Sequence, residues 1–137
     1  MKHLLIILLL VSLIACSKKG TTTAPVNDPL PPASSSILSQ GTFMNGVHET
    51  SGTVKVVLDG STKKLVIENF QTESGPDLKI YLSTDINATS FVNLGDLKST
   101  NGNLVYGIAN STDLDTYKYA LIWCEQFAVR FGSAELK

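Results

Sequence analysis

The chain has 137 residues, with 11 basic and 12 acidic side chains, a formal net charge of −1 and 43% hydrophobic residues. This near-neutral balance excludes a basic surface for nucleic acid, because phosphate binding needs clustered lysines and arginines. The clustered positive charges, Lys18-Lys19 and Lys63-Lys64, are too few for that role. We therefore expect no nucleic-acid partner.

The first predicted element is a signal peptide over residues 1–15. Lys2 supplies a positive charge, and residues 4–15 form an apolar run that only Ser12 interrupts. A membrane span needs about 20 apolar residues, so this shorter run is typical of a secretory signal. It ends in Leu-Ile-Ala-Cys at residues 13–16, which resembles a bacterial lipobox. That resemblance implies cleavage before Cys16 and a lipid on its sulfur, with palmitate as an expected acyl chain.

Residues 16–40 are predicted to be the lipidated cysteine followed by a tether. Four of the five prolines fall here, among serines and threonines. Proline fixes φ and favours extended segments without a packed core. We expect a lipoprotein anchored through Cys16 to the lipid of a bacterial membrane. It would lie in the cell envelope and face the periplasm or the cell surface.

Residues 41–137 are predicted to form one domain, because apolar residues alternate there with a period of two, which is typical of strands. The sequence Asp59-Gly60 predicts a hairpin turn, and a long polar loop is expected between residues 83 and 103. No segment has the pattern of an amphipathic helix. The pattern predicts an all-β fold, a single β-sandwich of about seven or more short antiparallel strands. The expected strands lie around residues 53–58, 64–70, 78–82, 104–108, 119–124 and 127–131.

Cys124 ends the predicted strand over 119–124, and lipidation of Cys16 would leave it unpaired. Alternation places Cys124 on the same face as Ala120 and Ile122, just before a corner at Glu125-Gln126. One interpretation is a buried thiol that only packs, since free cysteine behaves as a small hydrophobic residue. The other is a functional thiol whose sulfur reaches a cleft at the strand end.

Several motifs together resemble the DM-thirteen domain, a family described as an electron-transfer module. They are "GPDLKIYLS" at 75–83, "NLGDLK" at 93–98 and "LIWCEQFAVRFGSAEL" at 121–136, with "GTVKV" at 52–56 upstream. The resemblance implies a β-sandwich related to the modules that accompany cytochrome domains. It also implies a single cysteine that works as a bare redox thiol, and by position this cysteine is Cys124.

Three further residues are candidates for supporting roles. His48 falls in the family's histidine position and is either a surface histidine or a polar partner of Cys124. Trp123 is either a sheet-face aromatic residue or a group that helps an electron reach the neighbouring thiol. Asp77 belongs to a predicted turn, Gly75-Pro76-Asp77, in which its side chain would bond nearby backbone amides.

The inventory of side chains excludes several metal and cofactor sites. A blue-copper site needs two histidines and a cysteine, and the chain after residue 15 contains one histidine. The haem-attachment motif Cys-x-x-Cys-His and zinc-ligand spacing are absent from the sequence. We therefore expect no metal and no cofactor.

Two functions remain open, and whether the protein is an enzyme is left undecided. The first is a redox or electron-transfer component without a self-contained active site, in which Cys124 exchanges an electron or a mixed disulfide with a redox protein partner. The second is a non-catalytic binding or adaptor domain in the cell envelope, with Cys124 as packing. The reactivity of Cys124 in the folded protein distinguishes them.

Overall fold

A computed structural model describes residues 20–137, and ten strands make up its regular structure. They are β1 (Val26–Asn27), β2 (Ser36–Thr42), β3 (Met44–Asn45), β4 (Thr50–Asp59), β5 (Thr62–Thr72), β6 (Leu78–Ser83), β7 (Phe91–Asp96), β8 (Asn101–Ile108), β9 (Tyr119–Cys124) and β10 (Val129–Glu135).

The strands form two five-stranded sheets. The first sheet has the order β1-β8-β5-β4-β2, and the second has the order β3-β10-β9-β6-β7. Neighbouring strands are antiparallel except for β1 and β8, which are parallel. The predicted all-β sandwich is thus confirmed. Within residues 20–137, no helix has the length and apolar character that a bilayer span requires.

The β4–β5 hairpin is the longest pairing among the described strands and confirms the predicted turn. Asp59 pairs with Thr62, and Gly60 between them has a φ of +63°. Glycine adopts this left-handed conformation without the steric cost that a Cβ would add. The turn fixes the register of two strands that both face the core.

The hydrophobic core lies between the two sheets. Each large core side chain contributes about 1.5–3 kcal/mol by leaving water, so this interior is the main source of stability. Its fully buried members alternate along their strands, as the period of two predicts. They include Val54, Val56, Leu65, Ile67 and Leu104 from the first sheet and Ile80, Leu82, Ala120 and Ile122 from the second.

Two local expectations are wrong. The region predicted to be a long polar loop contains β7, an edge strand that pairs with β6. Only Val92 and Leu94 of β7 pack against the core, and two alternating apolar residues in a short strand give a weak signal. Phe127 was expected in the last strand, but it lies in a turn and is 61% exposed, and β10 begins at Val129.

Residues 20–40 contact the sandwich, although their composition is typical of a tether. Strand β2 pairs with β4, and the expected domain boundary at residue 41 falls inside β2. Asp28 accepts hydrogen bonds from the Val105 amide at 2.8 Å and from Lys98 Nζ at 2.6 Å. Composition does not reveal such pairing, because backbone groups of any residue type can make it. The predicted signal peptide and lipidated Cys16 lie outside the described residues and stay predictions.

Candidate redox site

Cys124 is the last residue of β9, and its side chain points between the sheets. It belongs to the same core as Ala120 and Ile122, so the predicted face is confirmed. Its exposed fraction is 0%, however, and the expectation that its sulfur reaches a cleft is wrong. The reason is the pairing of Cys124 with Leu78, the first residue of β6. That register places the turn before β6 over the end of β9.

The turn over Cys124 consists of Gly75, Pro76 and Asp77, as the sequence predicts. The Cys124 thiol donates a hydrogen bond to the Pro76 carbonyl oxygen at 3.0 Å. The amide of Glu125 donates to the Asp77 carbonyl oxygen at 3.1 Å. Asp77 has a φ of +59°, a left-handed conformation that aspartate adopts more readily than most residues. The Gly75–Asp77 turn therefore caps β9 through backbone groups.

The segment at residues 20–22 covers this turn from outside. Gly20 forms a β-bridge with Pro76, and Thr21 donates from its amide and its hydroxyl to the Gly75 carbonyl oxygen at 3.4 Å. On the other side, a Cβ added at Gly75 would lie 2.7 Å from Cζ of Phe131. A larger residue at position 75 would therefore require the Phe131 ring to shift. The thiol is sealed by the turn, and the turn is held by Gly20 and Thr21.

His48 lies in a different environment from the one expected for a partner of Cys124. Its Nδ1 is 2.5 Å from Oε2 of Glu73, and its ring centroid is 4.0 Å from that of Phe131. The Cys124 thiol instead has the Pro76 carbonyl as its hydrogen-bond acceptor. The structure therefore does not bring His48 to the sulfur as a polar partner.

The Asp77 side chain contacts Lys79 rather than the nearby backbone amides that its turn position predicts. Its Oδ1 lies 2.7 Å from Nζ of Lys79, and Lys79 also pairs with Asp96. Hydrogen bonds to Asp77 and Asp96 raise the pKa of Lys79 above its usual range. The Asp77 side chain thus helps to hold a lysine on the outer surface of the sheet.

The other face of β9 carries an aromatic stack that includes the predicted residue Trp123. The Tyr81 ring lies 4.1 Å from Phe91, with 9° between the ring planes, and 6.2 Å from Trp123, with 22° between the planes. These are centroid distances, and both lie within or near the range of offset-stacked pairs. Trp123 is half-buried and Phe91 is 45% exposed, so the stack runs from a covered centre to the surface.

Tyr81 at the centre of the stack has a carboxylate partner. Its hydroxyl donates to Oε1 of Glu125 at 2.5 Å, and Asn93 Nδ2 donates to the same oxygen at 3.3 Å. The Tyr81 side chain is 2% exposed. Burial, followed by the hydrogen bond and negative charge of Glu125, raises the pKa of Tyr81 above its usual range. Tyr81 is therefore a neutral phenol at physiological pH.

Tyr81 and Glu125 are not among the site residues that the sequence predicts. The alternation of β6 places Tyr81 opposite to Ile80 and Leu82, which was an available signal that it faces outward. The pairing with Glu125 was not available, since it joins residues that are 44 positions apart. Among residues 20–137, no three or more histidine, cysteine, aspartate or glutamate side chains are grouped so as to hold a metal ion.

A protein-family model matches more than half of the chain. The model described as "Electron transfer DM13" matches residues 42–136, which includes both faces of β9 and the Gly75–Asp77 turn. The chain belongs to the electron transfer DM13 family. Neither the curated proteins nor the solved structures include a significant match to this DM13 chain. The DM13 family suggests a module related to electron transfer, as the sequence motifs predicted.

Proposed function

We propose that this DM13 protein is a lipid-anchored module of an electron-transfer system in the cell envelope, with Cys124 as its redox thiol. The observation that supports this role for Cys124 is its position at the end of the sandwich. Its sulfur contacts the Gly75–Asp77 turn rather than only side chains of the core. A movement of one short turn would bring the sulfur to solvent while the two sheets stay packed.

The reaction would be exchange with a disulfide of a partner protein. Once the turn opens, the Cys124 proton passes to water, and the resulting thiolate attacks one sulfur of the partner disulfide. A mixed disulfide forms, and the second partner sulfur leaves as a thiolate. Cys124 is oxidised in this step and the partner is reduced, so the partner supplies the oxidant.

The test measures whether Cys124 reacts without global unfolding. Glutathione disulfide is the probe, and mass spectrometry follows the mixed disulfide on the mature chain in native buffer and in denaturant. The ratio of the two rates gives the free energy of the opening that exposes the sulfur. We expect this free energy to be several kcal/mol below the free energy of unfolding, because local openings cost less than global ones. Cys124→Ser is the control for labelling elsewhere.

A second candidate function is favoured by one observation, the 0% exposure of Cys124. It is a binding or adaptor domain in which the thiol only packs. If the opening free energy equals the free energy of unfolding, Cys124 reacts only in the unfolded chain. The redox role would then be wrong, and the adaptor function would stand.

The anchoring part of the proposal has a separate test. Gly20 is docked on Pro76, and it follows Cys16 by four residues that span at most about 14 Å when extended. A lipid on Cys16 would therefore hold this end of the sandwich near the membrane. Cys16→Ser should abolish lipid attachment and leave the precursor uncleaved or the protein soluble. Unchanged processing and membrane partition would contradict the anchor.

A further inference from the structure

Cys124 on β9 and Tyr81 beside it are both oxidisable, and they differ in what can accept their proton. The Cys124 thiol donates to a backbone carbonyl, which accepts a hydrogen bond but is not a base. The Tyr81 hydroxyl donates to the Glu125 carboxylate, which is a base. Loss of one electron makes either group strongly acidic, so oxidation is easier where a proton acceptor is already in contact.

The surroundings of Tyr81 suit a one-electron site in two further ways. The ring is 2% exposed, which protects a radical from reaction with solvent. Phe91 and Trp123 stack beside it, and both extend toward the surface, where a partner could approach. Trp123 is half-buried and lines a surface pocket with Val47 and Ile86, so it is partly accessible from outside. Glu125 is exposed, which lets a transferred proton exchange with water.

We propose that Tyr81 is a one-electron redox site of this protein, with Glu125 as its proton acceptor. A strong one-electron oxidant of the high-valent haem-iron class takes one electron from the phenol, and the hydroxyl proton moves to Oε1 of Glu125. The products are a neutral tyrosyl radical, a protonated Glu125 and the oxidant reduced by one electron. Return of an electron from a donor restores the phenol, and the proton moves back. The inference rests on the proposed electron-transfer function, but it does not require Cys124 to react.

Flash-quench oxidation of the mature protein tests this inference. Photogenerated ruthenium(III) tris-bipyridine is the oxidant, and transient absorption with electron paramagnetic resonance detects the tyrosyl radical. Tyr81→Phe should remove most of the tyrosyl signal, because the ring and its stacking stay but the hydroxyl is lost. Glu125→Gln retains a hydrogen-bond acceptor that cannot take the proton. It should slow radical formation by at least about tenfold at neutral pH, as for the loss of a positioned base.

Tyr106 is the matched control. It is also buried, but its hydroxyl donates to the backbone carbonyl of Asp96 at 3.4 Å rather than to a carboxylate. Tyr106→Phe should leave the signal unchanged. An unchanged tyrosyl yield in Tyr81→Phe, or wild-type kinetics in Glu125→Gln, would overturn the proposal. Cys124→Ser should keep the Tyr81 radical, so failure of the thiol role and failure of the tyrosine role give different results.

Discussion

The two faces of β9 present opposite chemical environments within one six-residue strand. On the inner face, Cys124 is surrounded by the core, and its thiol contacts the Pro76 carbonyl. On the outer face, Trp123 stacks with Tyr81, whose hydroxyl contacts the Glu125 carboxylate. A residue type alone therefore does not define a redox site. Whether a side chain can be oxidised also depends on access for a partner and on a nearby proton acceptor, and neighbouring strands and turns supply both.

The outer face is nevertheless not a simple solvent-facing surface. Leu121 and Tyr81 on that face are as buried as the core residues, with exposed fractions of 0% and 2%. A central strand with both faces covered reads as a continuous apolar run, and the sequence of β9 has this property. The difference between the faces therefore concerns polar partners at the strand end rather than burial at the strand centre.

The prediction with the largest expected effect tests whether both faces of β9 are sealed from solvent. Ile122→Ala on the inner face and Leu121→Ala on the outer face should each lower the free energy of unfolding by about 2–5 kcal/mol, because each creates a cavity. Chemical denaturation measures both. Val47→Ala is the control, since Val47 is 62% exposed and should change stability by less than about 0.5 kcal/mol. A Leu121→Ala cost near that of the control would show that the outer face is open.

The next effect isolates the contact between Cys124 and Pro76. Cys124→Ala removes the sulfur and leaves the Pro76 carbonyl without its donor, which should cost about 1–3 kcal/mol. Cys124→Ser should cost less than Cys124→Ala, because the serine hydroxyl can still donate to that carbonyl. Urea unfolding of the two variants gives the comparison. Greater destabilisation by serine than by alanine would show that the hydrogen bond contributes little.

The smallest effect concerns the alkaline stability of the outer face. Tyr81 has a pKa above its ordinary value of 10.0. The folded state therefore holds this proton more tightly than the unfolded state. The resulting stability is complete below about pH 10 and is lost as the pH rises toward the folded-state pKa. Between pH 10 and 11, the unfolding free energy of the wild-type protein should fall as the pH rises. Tyr81→Phe should make this slope shallower by as much as about 1.4 kcal/mol per pH unit.

Tyr106 provides a reference for this pH dependence. Burial raises the pKa of Tyr106 to about 12, so Tyr106 contributes a slope of the same sign. Tyr81→Phe should consequently flatten the curve between pH 10 and 11 without abolishing the dependence. A curve for Tyr81→Phe that parallels the wild-type curve would show that burial and the Glu125 contact do not hold the pKa of Tyr81 above its ordinary value.

Much of the fold could be predicted because its signals are local. Alternation along β4, β5, β6, β8 and β9 indicates strands, and Asp59-Gly60 indicates the hairpin between two of them. The strands with weak alternation could not be predicted. β7 is a short edge strand, and β1 and β2 lie in a segment rich in proline, serine and threonine. Their positions depend on backbone pairing with strands elsewhere in the chain, which composition does not encode in a readable way.

By itself, the sequence determined the all-β class, the strand face that Cys124 shares with Ala120 and Ile122, the turn at Gly75-Pro76-Asp77 and the DM13 family. These follow from period-two alternation, from local turn chemistry and from motifs that can be read along the chain. Only the tertiary structure decided that the thiol is sealed, that His48 lies against Glu73 and Phe131, and that Tyr81 meets Glu125. Each of these contacts joins residues 25 or more positions apart. The register between strands selects such contacts, and no local pattern specifies that register across long separations.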